Sequence, residues 1–247
     1  MRAEGPKDVG TGPAGEGQTE PIYSPSSPIH PEEFDMADHR KLDALDEKGF
    51  VILQPWEGEI DPSEWEELTY LDWKSGGDTN FAVLASATGE DDARGFWEHG
   101  KPDKDGVWTV NVEKAPTLKK YVESVGARFG RVRIIKLEPS ADLAEVQTRF
   151  LHLDDNNRLN PDGEGWVVRS WLNLTDDPDS YMVVRDDKDD PNTESHIPCP
   201  KYAQFVVDTE RLQHAVYHEG DKPRYALITS WESGPELDAW IQSNLPK

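Results

Sequence analysis

The spacing of apolar residues changes near Gly130, from a helical period to the shorter period of strands. Upstream, apolar residues between Leu118 and Phe129 recur every three or four positions. This spacing predicts a helix that begins at Pro116, packs on a sheet and ends at Gly130. Downstream, the β-rich composition of segment 131–137 predicts a strand.

Start and stop signals predict the remaining elements. A capping residue followed by a proline and an early acid is typical of a helix N-terminus, and glycine commonly ends a helix. In the first half of the chain, the sequence predicts a helix over 31–48 that ends at Gly49, a short buried strand over 50–53 and a helix from Asp61 to about Leu71. It then predicts loops over 73–106 with a short helix around 91–98. Further along, it predicts a strand from Phe150 onward and a terminal helix over 235–245. In the terminal helix, Leu237, Trp240 and Ile241 are expected to face inward.

Helices come first and strands separated by turns follow, an order that predicts a mainly β fold. The expected architecture is a double-stranded β-helix, the cupin jelly roll, with N-terminal and flanking helices. The length of 247 residues suits one domain with a real core, which we assign to residues 32–247. Residues 1–31 are rich in Gly, Pro, Ser and Glu. They cannot bury enough apolar surface to offset their ordering entropy, so a disordered tail is expected.

Charge and cysteine content narrow the function classes. The chain has 49 acidic and 26 basic residues and a formal charge of -23, which repels phosphate backbones and anionic lipid. We therefore expect no nucleic-acid and no membrane partner. The single cysteine, Cys199, cannot form an internal disulfide, and no apolar run reaches the ~20 residues of a membrane helix. Both features favour a cytoplasmic location.

Three residues are candidates for a metal centre. His152 and Asp154 are two positions apart, so on a strand their side chains point to the same face. His214 supplies a second imidazole in a later β-rich segment. Two histidines and one carboxylate form the facial triad that suits Fe(II) and leaves coordination positions open.

A predicted hairpin links His214 to Arg224. Segment 219–223 is a cluster of turn residues between two stretches of β composition. A hairpin folded about Glu219 would place His214 opposite Arg224, with Cβ atoms roughly 5 Å apart. The guanidinium fork could then hold one carboxylate of a dicarboxylic acid whose other end chelates iron. This arrangement suggests 2-oxoglutarate as the cosubstrate.

At these residues the chain resembles a known family, the cupin-fold iron- and 2-oxoglutarate-dependent oxygenases. The resemblance is to their aspartyl/asparaginyl β-hydroxylase and proline-hydroxylase-like branch, and it spans roughly residues 130 to 231. The matching pieces are His152-Leu-Asp154, Arg169-Ser-Trp-Leu-Asn-Leu174, His214-Ala-Val-Tyr217 and Arg224-Tyr-Ala-Leu-Ile-Thr-Ser-Trp231.

The resemblance implies a role for each of these residues. His152, Asp154 and His214 would be the catalytic iron ligands, and Arg224, together with Arg169, would bind the 2-oxoglutarate cosubstrate. With O2 as the oxidant, the expected reaction hydroxylates an unactivated C–H bond of a small amino acid, peptide or specialised metabolite and releases succinate and CO2. Related halogenases replace the carboxylate ligand by a small residue, so Asp154 favours hydroxylation, while desaturation and ring formation stay open.

Several alternatives stay open from the sequence. Asp155 competes for the carboxylate role but is predicted to face away from His152, and His218 competes with His214 but lies next to the turn. Arg169 is equally well explained as an exposed strand arginine. The loops over 140–149 and 155–166 are longer than in the family, so its substrates cannot be carried over.

Two other kinds of protein also fit the sequence. One is a metal-free cupin-like protein that binds a small carboxylate through Arg224 and Arg169. The other is a metal cupin that acts as an isomerase or a dioxygenase without 2-oxoglutarate. Iron content separates the first from an oxygenase, and succinate release separates the second.

Overall fold

The computed structural model describes residues 42–72, 79–140, 142–160 and 166–247. The predicted tail over 1–31 lies outside these residues. The strands are β1 Phe50–Ile52, β2 Leu71–Asp72, β3 Thr79–Ser86, β4 Val107–Trp108, β5 Phe129–Leu137, β6 Val167–Asn173, β7 Tyr181–Arg185, β8 Ser195–Pro198, β9 Gln204–Val207, β10 Gln213–Tyr217 and β11 Arg224–Glu232. The α-helices are α1 Asp43–Asp46, α2 Ser63–Glu66, α3 Pro116–Val125, α4 Leu143–Glu145 and α5 Pro235–Ser243.

Shorter helical turns lie between these elements. Turns of 3-10 helix cover Phe96–His99, Val110–Lys114 and Pro191–Thr193, and a π-helical turn covers Val146–Phe150. No helix in the described ranges combines the length and apolar character that crossing a membrane requires.

The described strands form two antiparallel sheets. The larger sheet has the order β1-β9-β6-β11-β5-β3-β2, with β4 paired to β3, and the smaller has the order β10-β7-β8. The predicted fold class is confirmed: the molecule is mainly β, of the jelly-roll type. Within the described strands the two sheets do not join into a closed barrel.

Side chains of the larger sheet alternate between two cores. Leu172 and Leu227 belong to the core that the sheet shares with α3 and α5. Trp171 and Ala226, their sequence neighbours, belong to a second core that also contains Met182 of the smaller sheet. This alternation is the two-residue period of a strand buried on both faces. The second core fills the space between the two sheets, which we call the interior.

The helix predicted from Pro116 is confirmed, but its predicted end is wrong. The helix stops at Val125, because Gly126 adopts a left-handed φ of 78° and its N–H bonds back to the carbonyl of Glu123. Phe129, expected on the helix, instead begins β5. The predicted strand over 131–137 and the terminal helix from Pro235 are confirmed.

Four predictions in the first half need correction. The helix from Asp61 ends at Glu66, and Leu71 lies in β2. The expected loop region 73–106 contains β3, whose last six residues are buried without alternation, so its sequence carries no amphipathic signal. The expected helix around 91–98 is a 3-10 turn that begins only at Phe96, and the strand over 50–53 is half-buried rather than buried. Of the helix over 31–48, α1 is the described part.

The predicted hairpin and the strand from Phe150 are also wrong. The expected long strand before the turn is split into β9 and β10, which lie in different sheets. His214 on β10 is paired with Val184 of β7, whereas Arg224 on β11 is paired with Leu137 of β5. The chain crosses between sheets at each step, so ten residues of separation do not imply a shared register. Phe150 ends the π-helical turn instead of beginning a strand.

Candidate metal centre

His152 and His214 meet through a single antiparallel bridge. The His214 N–H donates to the His152 carbonyl at 2.9 Å, and the His152 N–H donates to the His214 carbonyl at 3.3 Å. Their ring centroids lie 4.4 Å apart. The bridge brings together two residues from distant parts of the chain without the regular strand that the sequence predicted around His152.

Asp154 completes a cluster of three possible ligands. Its backbone N–H donates to the Thr209 carbonyl at 2.9 Å, which fixes the loop after the bridge. Ligand atoms of His152, Asp154 and His214, one from each side chain, all lie within 4.8 Å of one another. The structure thus places together the three residues that the sequence singled out.

Both imidazoles are oriented for metal binding. The Nδ1 atom of His152 lies 2.8 Å from the Phe150 carbonyl, and that of His214 lies 3.2 Å from the Leu212 carbonyl. A carbonyl only accepts hydrogen bonds, so each Nδ1 is the protonated donor and each Nε2 keeps its lone pair. In metal sites, a hydrogen bond from the ring nitrogen that does not bind the metal orients the histidine ligand in this way.

Charge states in the cluster also suit a metal. Burial lowers the pKa of His214 to about 4, an effect to which His152 adds and which Asp154 opposes, so the imidazole is neutral near pH 7. Burial raises the pKa of Asp154, but the positive charge of Arg169, and then the two histidines in their protonated form, hold that pKa well below its ordinary value. Metal binding requires neutral imidazole and ionised carboxylate, and the site has both.

Arg169 contacts the carboxylate rather than lying exposed on its strand. Its Nη1 lies 2.7 Å from Asp154 Oδ2, an ion pair without hydrogen-bond geometry, and its Nη2 donates to Asn156 Oδ1 at 2.6 Å. Arg131 donates to the same oxygen at 2.8 Å, and its Nε donates to Asp103 at 2.6 Å. Sequence reasoning missed Asn156, Arg131 and Asp103, since no motif marks a side chain that acts through others.

The alternatives for the ligand positions are now separable. Asp155 is exposed, lies near Arg158 and is not among the three possible ligands that come together. His218 is fully buried, with Nδ1 against Ser180 Oγ at 2.8 Å and Nε2 against the Lys222 carbonyl at 2.6 Å. Both ring nitrogens of His218 are therefore occupied, which leaves His214 as the second imidazole.

Arg224 is the second notable group of the interior. It is completely buried, and all three guanidinium nitrogens lack a hydrogen-bond partner among the described residues. The buried thiol of Cys199 lies beside it: burial raises the pKa of Cys199 and Arg224 opposes that rise. A buried, uncompensated charge costs several kcal/mol. Such a cost points to an anionic ligand that completes the site.

Arg224 and the candidate metal cluster face the same interior. Arg224 and Ala226 alternate with outward residues on β11, and Ala226 packs in the same core as Trp171. The Trp171 ring lies 6.1 Å from the His214 ring and is stacked on Phe205. Trp171 thus forms an apolar wall beside the cluster. Two imidazoles, one carboxylate and a separate guanidinium fit Fe(II) together with a dicarboxylate ligand.

The protein is similar to known proteins in structure but not detectably in sequence. No family model and no curated protein matches the sequence. An oxidoreductase of the 2OG-Fe(II) oxygenase family from Burkholderia pseudomallei has a TM-score of 0.50 and 16% identity, and the alignment covers 82% of this chain and 93% of that chain. The two proteins share a fold.

A prolyl hydroxylase from Trichoplax adhaerens is also similar. That structure is a complex with a peptide fragment of the hypoxia inducible factor oxygen degradation domain. It has a TM-score of 0.49 and 12% identity, with coverage of 83% of this chain and 92% of that chain.

Proposed function

We propose that the protein is an Fe(II)- and 2-oxoglutarate-dependent dioxygenase that hydroxylates an unactivated C–H bond of a small substrate. The observation that carries this proposal is the convergence of ligand atoms of His152, Asp154 and His214 within 4.8 Å, with the Nδ1 atom of each histidine directed at a backbone carbonyl so that its Nε2 keeps the lone pair. The fold shared with the Burkholderia oxygenase supports the same conclusion. The motifs that resemble the aspartyl/asparaginyl and proline hydroxylase branch favour an amino acid, a peptide or a specialised metabolite as substrate.

Each residue has a defined task in this proposal. His152, Asp154 and His214 hold the iron, and Arg224 binds the far carboxylate of 2-oxoglutarate through its planar fork. Bound iron, with 2-oxoglutarate and dioxygen, supplies the oxidising power for hydroxylation, and the cosubstrate leaves as succinate and CO2. Trp171 and its apolar neighbours exclude water from the interior.

Arg169 has two tasks in the proposal. Its ion pair holds the Asp154 carboxylate in place before the metal arrives. Its Nε is buried and has no hydrogen-bond partner among the described residues, so this donor is available to a cosubstrate carboxylate. The dual role explains why an arginine, with its several donors in a fixed fork, occupies this strand position.

Reconstitution without oxygen tests the proposal. Purified protein is loaded with Fe(II) under nitrogen, its iron content is measured, and succinate is then followed after air and 2-oxoglutarate are added. We expect about one iron per chain and slow succinate release even without a second substrate. Absence of stoichiometric iron would favour a metal-free carboxylate-binding protein, and iron without succinate would favour a cupin isomerase or a dioxygenase that does not use 2-oxoglutarate.

A further inference from the structure

A buried histidine outside the candidate triad, His218, connects the turn before Arg224 to the smaller sheet. His218 follows β10 and is fully buried. Its Nε2 lies 2.6 Å from the carbonyl of Lys222, and its Nδ1 lies 2.8 Å from the hydroxyl of Ser180, the residue before β7. Lys222 is two residues before Arg224, so one imidazole joins the start of β11 to the start of β7.

The two ring contacts of His218 fix which nitrogen carries the proton. A backbone carbonyl only accepts, so Nε2 is the donor toward Lys222, and Nδ1 of the neutral ring accepts from the Ser180 hydroxyl. This tautomer is the opposite of the one assigned to His152 and His214, in which each Nδ1 is the donor. His218 is therefore arranged to hold a backbone carbonyl, whereas the other two are arranged to bind a metal.

The backbone of His218 is also held in place. Its N–H donates to the Ser140 hydroxyl at 3.0 Å, and its carbonyl accepts from the Ser140 N–H at 2.8 Å. Ser140 follows β5, whose last residue, Leu137, is the register partner of Arg224. Because the imidazole extends from a fixed backbone, it can restrain the turn instead of moving with it.

A glycine in the turn permits the close approach of the His218 ring. A Cβ atom at Gly220 would lie 2.6 Å from His218 Cε1 and 3.4 Å from its Nδ1. The φ of Gly220 is not in the left-handed region, so the backbone conformation does not require glycine here. The ring is held at both nitrogens, so a larger residue at position 220 would have to displace the ring or the turn.

Arg224 depends on a fixed backbone more than an ordinary strand residue does. It is the first residue of β11, and β6 pairs with this strand only from Ala226 onward. Its guanidinium is completely buried and has no hydrogen-bond partner among the described residues, so a movement of the strand end that carried the charge toward water would be favourable. On one side, the Tyr225 N–H donates to Thr175 Oγ1 at 3.0 Å. On the other side, the contact of His218 fixes the turn.

We propose that His218 is the positioning residue of Arg224. Through the Lys222 carbonyl it holds the start of β11, so that the guanidinium stays in the interior where the far carboxylate of 2-oxoglutarate would bind. The inference rests on the proposed oxygenase function and adds a residue that contacts neither the metal nor the cosubstrate. His218 therefore affects cosubstrate affinity only through Arg224, which separates it from a residue that merely stabilises the fold.

Two amide variants separate the two ring contacts. The amide of His218→Gln reaches about as far as Nε2 and can still donate to the Lys222 carbonyl, whereas the shorter amide of His218→Asn can reach only Ser180. We expect 2-oxoglutarate binding to the Ni(II) protein to weaken about tenfold in His218→Asn and about threefold or less in His218→Gln. Ni(II) affinity should be unchanged in both variants. Calorimetric titration measures both affinities.

A double-mutant cycle with Arg224→Met tests whether His218 acts through the arginine. In the Arg224→Met background, His218→Asn should cause no further loss of 2-oxoglutarate affinity, whereas independent effects would multiply. Failure of the proposed function is detected separately, because the Ni(II) protein would then bind no 2-oxoglutarate, or Arg224→Met alone would leave its affinity unchanged. His196→Ala, a change of an exposed histidine on β8, is the matched control and should leave both affinities unchanged.

Gly220→Ala perturbs the same contact without changing the histidine. The added methyl group forces the ring and the turn apart, so 2-oxoglutarate binding should weaken as it does in His218→Asn. Retained Ni(II) binding shows that a variant is folded, and Gly220→Ala decides the question if His218→Asn does not fold. Unchanged 2-oxoglutarate affinity in both variants, equal losses in His218→Asn and His218→Gln, or multiplied losses in the cycle would overturn the proposal.

Discussion

Two arginines that face the interior, Arg169 and Arg224, have opposite surroundings. Arg169 forms an ion pair with Asp154 and a hydrogen bond with Asn156. Arg224 is more deeply buried, yet none of its guanidinium nitrogens has a hydrogen-bond partner among the described residues. A paired buried charge contributes to the folded protein, whereas an unpaired one is tolerated where a ligand completes it. The comparison separates an arginine that supports the candidate metal ligands from one that we propose binds the cosubstrate.

The largest expected effect is the loss of the metal centre that Arg169 supports. Asp154→Ala removes the only carboxylate of the candidate triad, so stoichiometric Fe(II) binding and succinate formation should fall below detection. Iron content after anaerobic loading and succinate by NMR are the measurements. Asp155→Ala is the matched control, because this neighbouring carboxylate is exposed and should leave both values unchanged. Iron retained in Asp154→Ala would contradict the assignment.

The second largest effect is a loss of protein stability when Arg169 is substituted. Arg169→Met leaves Asp154 buried without its cation, so the free energy of unfolding of the metal-free protein should fall by about 3–5 kcal/mol. Urea denaturation followed by tryptophan fluorescence measures it. A loss below about 1 kcal/mol would mean that the ion pair does not hold the carboxylate.

Substitution of Arg224 should change the free energy of unfolding in the opposite direction. Arg224→Met removes an uncompensated buried charge, so the cosubstrate-free protein should become more stable, by about 1 kcal/mol or more. The same change should weaken 2-oxoglutarate binding by about 30-fold or more, since truncating a buried charge pair costs about 2–5 kcal/mol. Denaturation and calorimetric titration of the Ni(II) protein measure the two effects. Unchanged cosubstrate affinity would remove Arg224 from the site.

The smallest effect on the metal is expected at His218. Both of its ring nitrogens contact protein groups, so His218→Ala should cost about 1–3 kcal/mol of stability and leave Ni(II) affinity unchanged. Calorimetric titration with Ni(II) compares this variant with His214→Ala, which should bind no metal. Loss of nickel binding in His218→Ala would reopen the choice between the two histidines.

Local spacing was sufficient for part of the site. His152 and Asp154 were predicted to be neighbours from their two-residue separation, and the structure places them together. The reason was only partly right, because they follow a π-helical turn and one bridge instead of lying on a regular strand. Helix α3 could also be predicted from the sequence, because its apolar residues repeat with a clear helical period.

The pairing of strands and the contacts between distant segments could not be predicted from local spacing. The predicted hairpin failed because β10 and β11 lie in different sheets, and no turn signal tells a hairpin from a connection between sheets. Strand β3 was missed because it is buried on both faces and has no alternation. The ion pair of Arg169 with Asp154 depends on how a loop folds onto a strand, which residue patterns do not encode.

The central claim is that one interior binds iron through His152, Asp154 and His214 and holds 2-oxoglutarate through Arg224. The most direct measurement is the visible charge-transfer absorbance that develops when 2-oxoglutarate is added to the Fe(II) protein under nitrogen. We predict a band that saturates with the cosubstrate in the unmodified protein, disappears in Asp154→Ala, and requires much higher 2-oxoglutarate concentrations in Arg224→Met. Stoichiometric iron with no such band, or a band that Arg224→Met leaves unchanged at every concentration, would contradict the account.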